Sequence, residues 1–285
     1  MSESSEAPSS TPASGIVIDE PLDDVDAESE RSDERSRRRR RRGDDATRPR
    51  RTWREGGTSV HRWGWEFVGW AVLALGIGVL GATGVTATMG GASAALIAQI
   101  VLWVAFAAVV VAAFARSVPR GLLRFRPVDL LFGLVLGGML RLAQGWVQMR
   151  AGGDGGWPSY PSLGGSLPSS WFFDDLLADV VISPVVEEFF FRGLVLVAVY
   201  TAVRRLAGRE VAMFASAIVS TGLFVVAHAL LAPLSWDAVV SLALVGLVAS
   251  LLVLLTGRLW PAVLVHVVYN GLWVAMATVG TLLAA

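Results

Sequence analysis

Residues 180–203 read VVISPVVEEFFFRGLVLVAVYTAV, and Glu187, Glu188 and Arg192 are the only charged side chains in that stretch. It is long enough to cross a hydrocarbon layer, which takes about 20 apolar residues. It is therefore read as a membrane-spanning helix that carries charge at its centre. Working outward, further apolar stretches of similar length fall at about 66–86, 94–115, 128–147, 211–231, 237–256 and 260–283. The expected fold class is all-α, a polytopic transmembrane helical bundle of about seven spans. Composition agrees: 54% of residues are apolar and the mean hydropathy is +0.57, more apolar surface than a water-soluble core of this length could bury.

The net charge of zero averages two different objects, because 13 of the 24 arginines and 14 of the 24 acids precede position 63. Residues 1–62 pass from a Ser/Pro/Glu-rich stretch through an acidic run to the block Arg37 to Arg42. Such a segment cannot offset its ordering entropy by burial, so it is expected to be a disordered tail, with the membrane domain at 63–285. The first fifteen residues hold neither a basic n-region nor an apolar h-region, so the first span is expected to act as an uncleaved anchor. Arg116, Arg120, Arg124 and Arg126 share one loop, and Arg204, Arg205 and Arg209 another, on the side of the arginine-rich N-terminus. The positive-inside rule makes that side cytoplasmic, in a multi-pass protein of the plasma membrane. The arginine block reads as a topology determinant, or as a patch for anionic lipid head groups. No cysteine is present, which removes disulfides, thiolate metal sites and cysteine nucleophiles. Membrane lipids are the expected surroundings, and no nucleic-acid partner is expected.

Between Arg150 and Ser170 runs a Gly/Pro/Ser-rich loop, followed by Trp171, Phe172 and Phe173 with Asp174, Asp175 and Asp179. That pattern predicts a short amphipathic helix lying on the membrane ahead of the fourth span.

An ionisable side chain inside a span is costly and by default marks function. At about 100° per residue, Glu188 and Arg192 share a helix face while Glu187 points to a neighbouring one. One carboxylate can be neutralised as an i,i+4 pair and the other left for chemistry, although all three could equally form a charge network that pins helices together. The fifth span places Phe224 one turn before His228, and the seventh puts His266 and Asn270 on one face. Two histidines, an asparagine and a glutamate from three helices are most economically explained by one wet cavity. A glutamate in a low-dielectric site can act as general base on water. A histidine can share that proton or bind a metal, and His with Asn can donate to an oxyanion. No hydroxyl has an activating base at local spacing, and no HExxH zinc helix is present. The third span adds Arg141, Gln144 and Gln148 on about one face, with Arg141 expected to pair with Asp129 or with an acid of the 174–179 segment.

The order Glu187-Glu188-x-x-x-Arg192, Phe224-x-x-x-His228 and His266-x-x-x-Asn270, with Phe191-Arg192-Gly193 and the run Thr256-Gly257-Arg258-Leu259-Trp260-Pro261, resembles the CAAX protease and bacteriocin-processing (CPBP) family. The resemblance covers residues 170–275. It implies an intramembrane endopeptidase related to the type II CAAX prenyl endopeptidase, acting on a membrane-associated protein or peptide. By that likeness the catalytic residues are Glu187 as general base with His228, and His266 with Asn270 at the oxyanion, while Glu188 and Arg192 support the site. Family members are commonly labelled metalloproteases; here no metal is expected to be obligatory, and Glu187, His228 and His266 would be the ligands if Zn2+ were bound. The alternative is a non-catalytic membrane immunity or scaffold protein of the same fold. A transporter is disfavoured by the lack of internal repeats.

Simple depth arithmetic sets Glu187 and His228 near the outer ends of their spans and His266 near the inner end of its own, a mismatch of about 15 Å at about 1.5 Å per residue. The expected remedy is a break near Leu251 to Pro261, made by Gly257 and Pro261, with Arg258 inside the protein.

Overall fold

Long apolar runs without water for partners must satisfy their backbone internally, and helices do so segment by segment. The computed structural model, which describes residues 32, 34–36, 51–153, 156–161 and 166–283, is all-helical in its described residues. Six segments among them are long and apolar enough to cross a membrane: α1 (Trp65–Thr88), α2 (Ser93–Arg116), α3 (Val128–Arg150), α4 (Phe172–Leu231), α5 (Trp236–Thr256) and α6 (Trp260–Leu283). The chain is a multi-pass membrane protein.

Helix α4 runs for 60 residues but is broken at Gly208, whose φ of +81° is open to glycine and strained for other residues. Ser220 Oγ donates to Phe191 O at 2.9 Å across 29 residues. An unbroken helix would hold the two about 44 Å apart, so the limbs 172–207 and 209–231 lie side by side. With α4 folded back, the six segments supply the seven apolar limbs that the sequence predicts.

The first limb of α4 starts earlier than expected. Residues Phe172–Ile182 are π-helical and continue without interruption into Ser183–Glu188, so the separate in-plane helix does not form. Asp179 instead meets neighbouring helices: its Oδ1 accepts from Gln99 Nε2 at 3.0 Å, and its backbone carbonyl accepts from Asn270 Nδ2 at 2.8 Å. A second π-helical stretch, Phe189–Leu196, follows the paired glutamates.

Two close helix contacts set the frame. A Cβ added at Gly133 would stand 2.7 Å from Leu264 Cβ, and one at Gly137 would stand 2.9 Å from Val265 O; this small-residue stripe lets α3 and α6 touch at backbone distance. At Gly78 and Gly81 an added Cβ would crowd Leu102 and Val101, which brings α1 equally close to α2.

The chain divides into two units, 1–50 and 51–285. The expected disorder of the first 50 residues lies almost wholly outside the described residues. Residues 51–62, expected to belong to the tail, are packed into the second unit. Trp53 and Trp63 are fully buried, and Trp53 meets Tyr200 edge-on at 5.3 Å. Glu55 Oε2 accepts from Thr52 N at 2.8 Å in a capping box. Arg54 Nη1 donates to Leu254 O and Leu255 O at 2.9 and 2.6 Å, satisfying open carbonyls at the end of α5. The buried Trp53 indole repays ordering that the charged composition alone could not.

The expected break between α5 and α6 is present. Gly257 ends α5 with φ +74°, its carbonyl accepts from Trp53 Nε1 at 3.0 Å, and Leu259 N donates to Leu122 O at 2.8 Å. Because Trp53 packs on Tyr200, this turn lies beside Tyr200, about 12 Å along the helix before Gly208. Helix α6 thus begins inside the bundle, and the depth mismatch disappears. Arg258 is buried and binds Asp129, its Nη2 2.5 Å from Oδ1 and its Nε 3.2 Å from the same oxygen. Asp129 is therefore not the partner of Arg141.

Candidate active site

The first limb of α4 turns Glu187 and Glu188 into different surroundings. The Glu188 side chain has no exposed surface, whereas that of Glu187 is 15% exposed. Glu188 Oε1 accepts from Arg192 Nη1 at 3.0 Å and from His266 Nδ1 at 3.0 Å. Arg192 Nη2 also donates to Gly246 O at 3.1 Å. The i,i+4 contact with Arg192 holds the Glu188 carboxyl group in place. A carboxylate only accepts; the His266 proton is consequently on Nδ1, which leaves Nε2 turned to Glu187, 4.0 Å from its Oε2.

His228, near the end of the second limb, is fixed in the same way by another acceptor. Its Nδ1 lies 2.8 Å from the Phe224 carbonyl, so Nδ1 donates and Nε2 is left with its lone pair. Phe224 is the spacer between the parts. Its ring centroid is 4.6 Å from that of His228, 5.8 Å from that of His266 and 4.6 Å from the Arg192 guanidinium carbon. The Phe-x-x-x-His spacing thus stacks one ring against three site groups.

These side chains meet at a cavity of about 460 Å³ lined by Glu187, His228, His266 and Asn270. All four residues singled out from the sequence converge there, and Glu188 and Arg192 lie behind the wall. Among the described residues no hydrogen bond joins Glu187 to either histidine, and Glu187 Oε2 stands 4.0 Å from His266 Nε2. Asn270 spends one amide N–H on the Asp179 carbonyl and keeps the other.

Other lining residues were not read from the sequence as part of the site. Ser183 Oγ accepts from Gln99 Nε2 at 3.1 Å and from Trp103 Nε1 at 3.0 Å. Asp179, Ser183 and Glu187, each four residues apart, all reach the cavity; that spacing, and the lone Gln99 in an apolar span, were the available signals. Arg141 lines it too, bound to Tyr269 O through Nε at 3.1 Å and Nη2 at 2.6 Å, not to an acid of the 174–179 segment. Beyond the spans, Tyr160 stacks edge-on against Trp273 at 5.9 Å. Burial, with Asp175 nearby, pushes its phenol up to about 12, so it is neutral throughout the physiological range.

Zn2+ bound by Glu187, His228 and His266 does not fit this arrangement. Among the described residues no three His, Asp or Glu side chains are gathered closely enough to hold a metal ion. Each imidazole is pinned through Nδ1 to its own acceptor, Glu188 Oε1 or the Phe224 carbonyl, which fixes the direction of both rings. The metalloprotease label has no support in this geometry.

Residues 169–272 match the family model for type II CAAX prenyl endopeptidase, Rce1-like. That stretch is a domain of this family. It contains all of α4 and α5, and α6 as far as Leu272, hence every group of the cavity's Glu/His/Asn set. The family implies an intramembrane protease with a protein or peptide substrate. Comparison with curated proteins found no match, and comparison with solved structures found none.

Proposed function

We propose that the cavity is the active site of an intramembrane endopeptidase that hydrolyses a peptide bond in a membrane-associated protein or peptide by glutamate-activated water. The observation that carries this reading is the division of labour between adjacent carboxylates: Glu188, fully buried, gives Oε1 to both Arg192 and His266, while Glu187 lines the cavity.

Water held between Glu187 and His266 would give a proton to Glu187 as its oxygen attacks the substrate carbonyl carbon. His228, with Nε2 free, can accept the water's other hydrogen and orient it. The developing oxyanion would be met by the second amide N–H of Asn270, while His266, with Nδ1–H kept on Glu188, faces the attacking water through Nε2. Glu187 then passes its proton to the departing amine nitrogen as the C–N bond breaks. Every proton taken from water is returned to a product, and Glu187 ends as a carboxylate.

Processing of the CAAX type is supported by the family likeness. The arginines at 116–126 and 204–209 support a cytoplasmic N-terminus in the plasma membrane. The test compares termini in membrane proteomes of cells carrying wild-type and Glu187→Ala protein at equal abundance. Termini present only with wild-type protein are expected; identical sets would overturn the reading.

A further inference from the structure

Three arginines are buried in the membrane domain, and their partners differ. Arg192 is paired with Glu188 and Arg258 with Asp129. Arg141, 9% exposed, forms no ion pair among the described residues. A buried cation is ordinarily matched by an acid, and one that persists in a span without it marks function.

Arg141 is also held ready. Its Nε and Nη2 donate to the Tyr269 carbonyl, its Nη1 donates to Gln144 Oε1, and its guanidinium carbon stands 3.9 Å from the Tyr269 ring centroid. Tyr269 OH donates to the same Gln144 oxygen at 2.6 Å, which fixes the amide. Of the five guanidinium N–H groups three are thereby used, so each terminal nitrogen retains one. Those two are left to donate to a carboxylate, as a fork where the Nη1 hydrogen spent on Gln144 is the one on the Cδ side. The tether places the cation beside Asn270, the next residue in the chain, and both line the cavity. Arg141 comes from α3, outside the matched stretch 169–272.

We propose that Arg141 is the anchor for a carboxylate of the peptide substrate, so that the cavity selects peptides presenting an anionic group next to the bond that Asn270 addresses. This rests on the peptidase reading for its consequence in catalysis, although the binding itself does not. The carboxylate can be a C-terminus or an Asp or Glu side chain, and the test separates them.

Trp103 and Trp273 line the cavity, so binding can be followed by tryptophan fluorescence in the full chain purified in detergent, with Glu187→Gln present to prevent turnover. The probes are an apolar hexapeptide with a free C-terminus, its C-terminal carboxamide, and the carboxamide with one Asp or its Asn counterpart. A carboxylate peptide is expected to bind about tenfold or more tightly than its neutral isostere, since hydrogen bonds to charged groups carry that much discrimination. Whether the free C-terminus or the Asp peptide gains names the source. Arg141→Gln is expected to abolish the preference and Arg141→Lys, which lacks the fork, to retain part of it. Equal binding of acid and neutral peptides to the protein with Arg141 intact overturns the proposal, with no variant of Arg141 required. A preference for acid peptides that wild-type protein binds but never cleaves would uphold the proposal and count against the peptidase reading.

Discussion

Two polar layers meet at the first limb of α4, and they obey different rules. The layer of Glu188, Arg192 and the Gly246 carbonyl is closed: its charges have no exposed side-chain surface and are matched to one another. The layer of Glu187, His228, Asn270 and Arg141 is open: each lines the cavity and keeps at least one donor hydrogen or acceptor lone pair unspent. One residue of sequence separates the carboxylates that head the two layers. Charge in a membrane helix is thus either neutralised in place or kept for a ligand, and His266, with Nδ1 in the closed layer and Nε2 facing the open one, joins them.

Breaking the closed layer should cost stability. Arg192→Leu leaves Glu188 buried without its cation and is expected to destabilise the protein by about 3–5 kcal/mol, seen as a lower unfolding temperature in detergent and reduced accumulation. Replacing both, Glu188→Leu with Arg192→Leu, should recover much of that stability while cleavage stays lost, because His266 no longer has its acceptor. Breaking the open layer should cost rate. Asn270→Ala is expected to lower kcat by roughly 10²–10³-fold, the usual consequence of losing one oxyanion donor, with an unfolding temperature changed by no more than one hydrogen bond to Asp179 O would account for. The smallest effect is expected from crowding the closed layer without discharging it. A Cβ at Gly246 would stand 2.9 Å from Thr221 Cγ2 and 3.3 Å from Arg192 Nη2, so Gly246→Ala should cost about 1–3 kcal/mol, measured by the same thermal unfolding.

Much of this contrast was legible in the sequence. Spans are written in apolar length, and the Glu, His and Asn residues stand out because hydrocarbon does not tolerate them idly. Arg258 was also readable as an interior residue, since a break near Leu251 to Pro261, made by Gly257 and Pro261, would level His266 with Glu187. What could not be read depended on partners far along the chain. Trp53 sits among arginines and reads as tail; it folds because Tyr200 and Gly257 receive it. The 171–179 segment has the pattern of an in-plane helix, yet Asn270 and Gln99 supply interior partners for Asp179 that draw it into α4. Arg141 was noticed but matched to the wrong residues, because a backbone carbonyl leaves no trace in a sequence.

The most direct test of the central claim, that adjacent carboxylates divide chemistry from support, is a paired measurement on Glu187→Gln and Glu188→Gln. Each full-length variant is assayed for kcat/KM on a peptide spanning a terminus produced only by wild-type protein, and for thermal unfolding in the same detergent. The account predicts that Glu187→Gln lowers kcat/KM by about 100-fold or more with unfolding unchanged, while Glu188→Gln lowers the unfolding temperature as well as the rate. Wild-type cleavage by Glu187→Gln would contradict it.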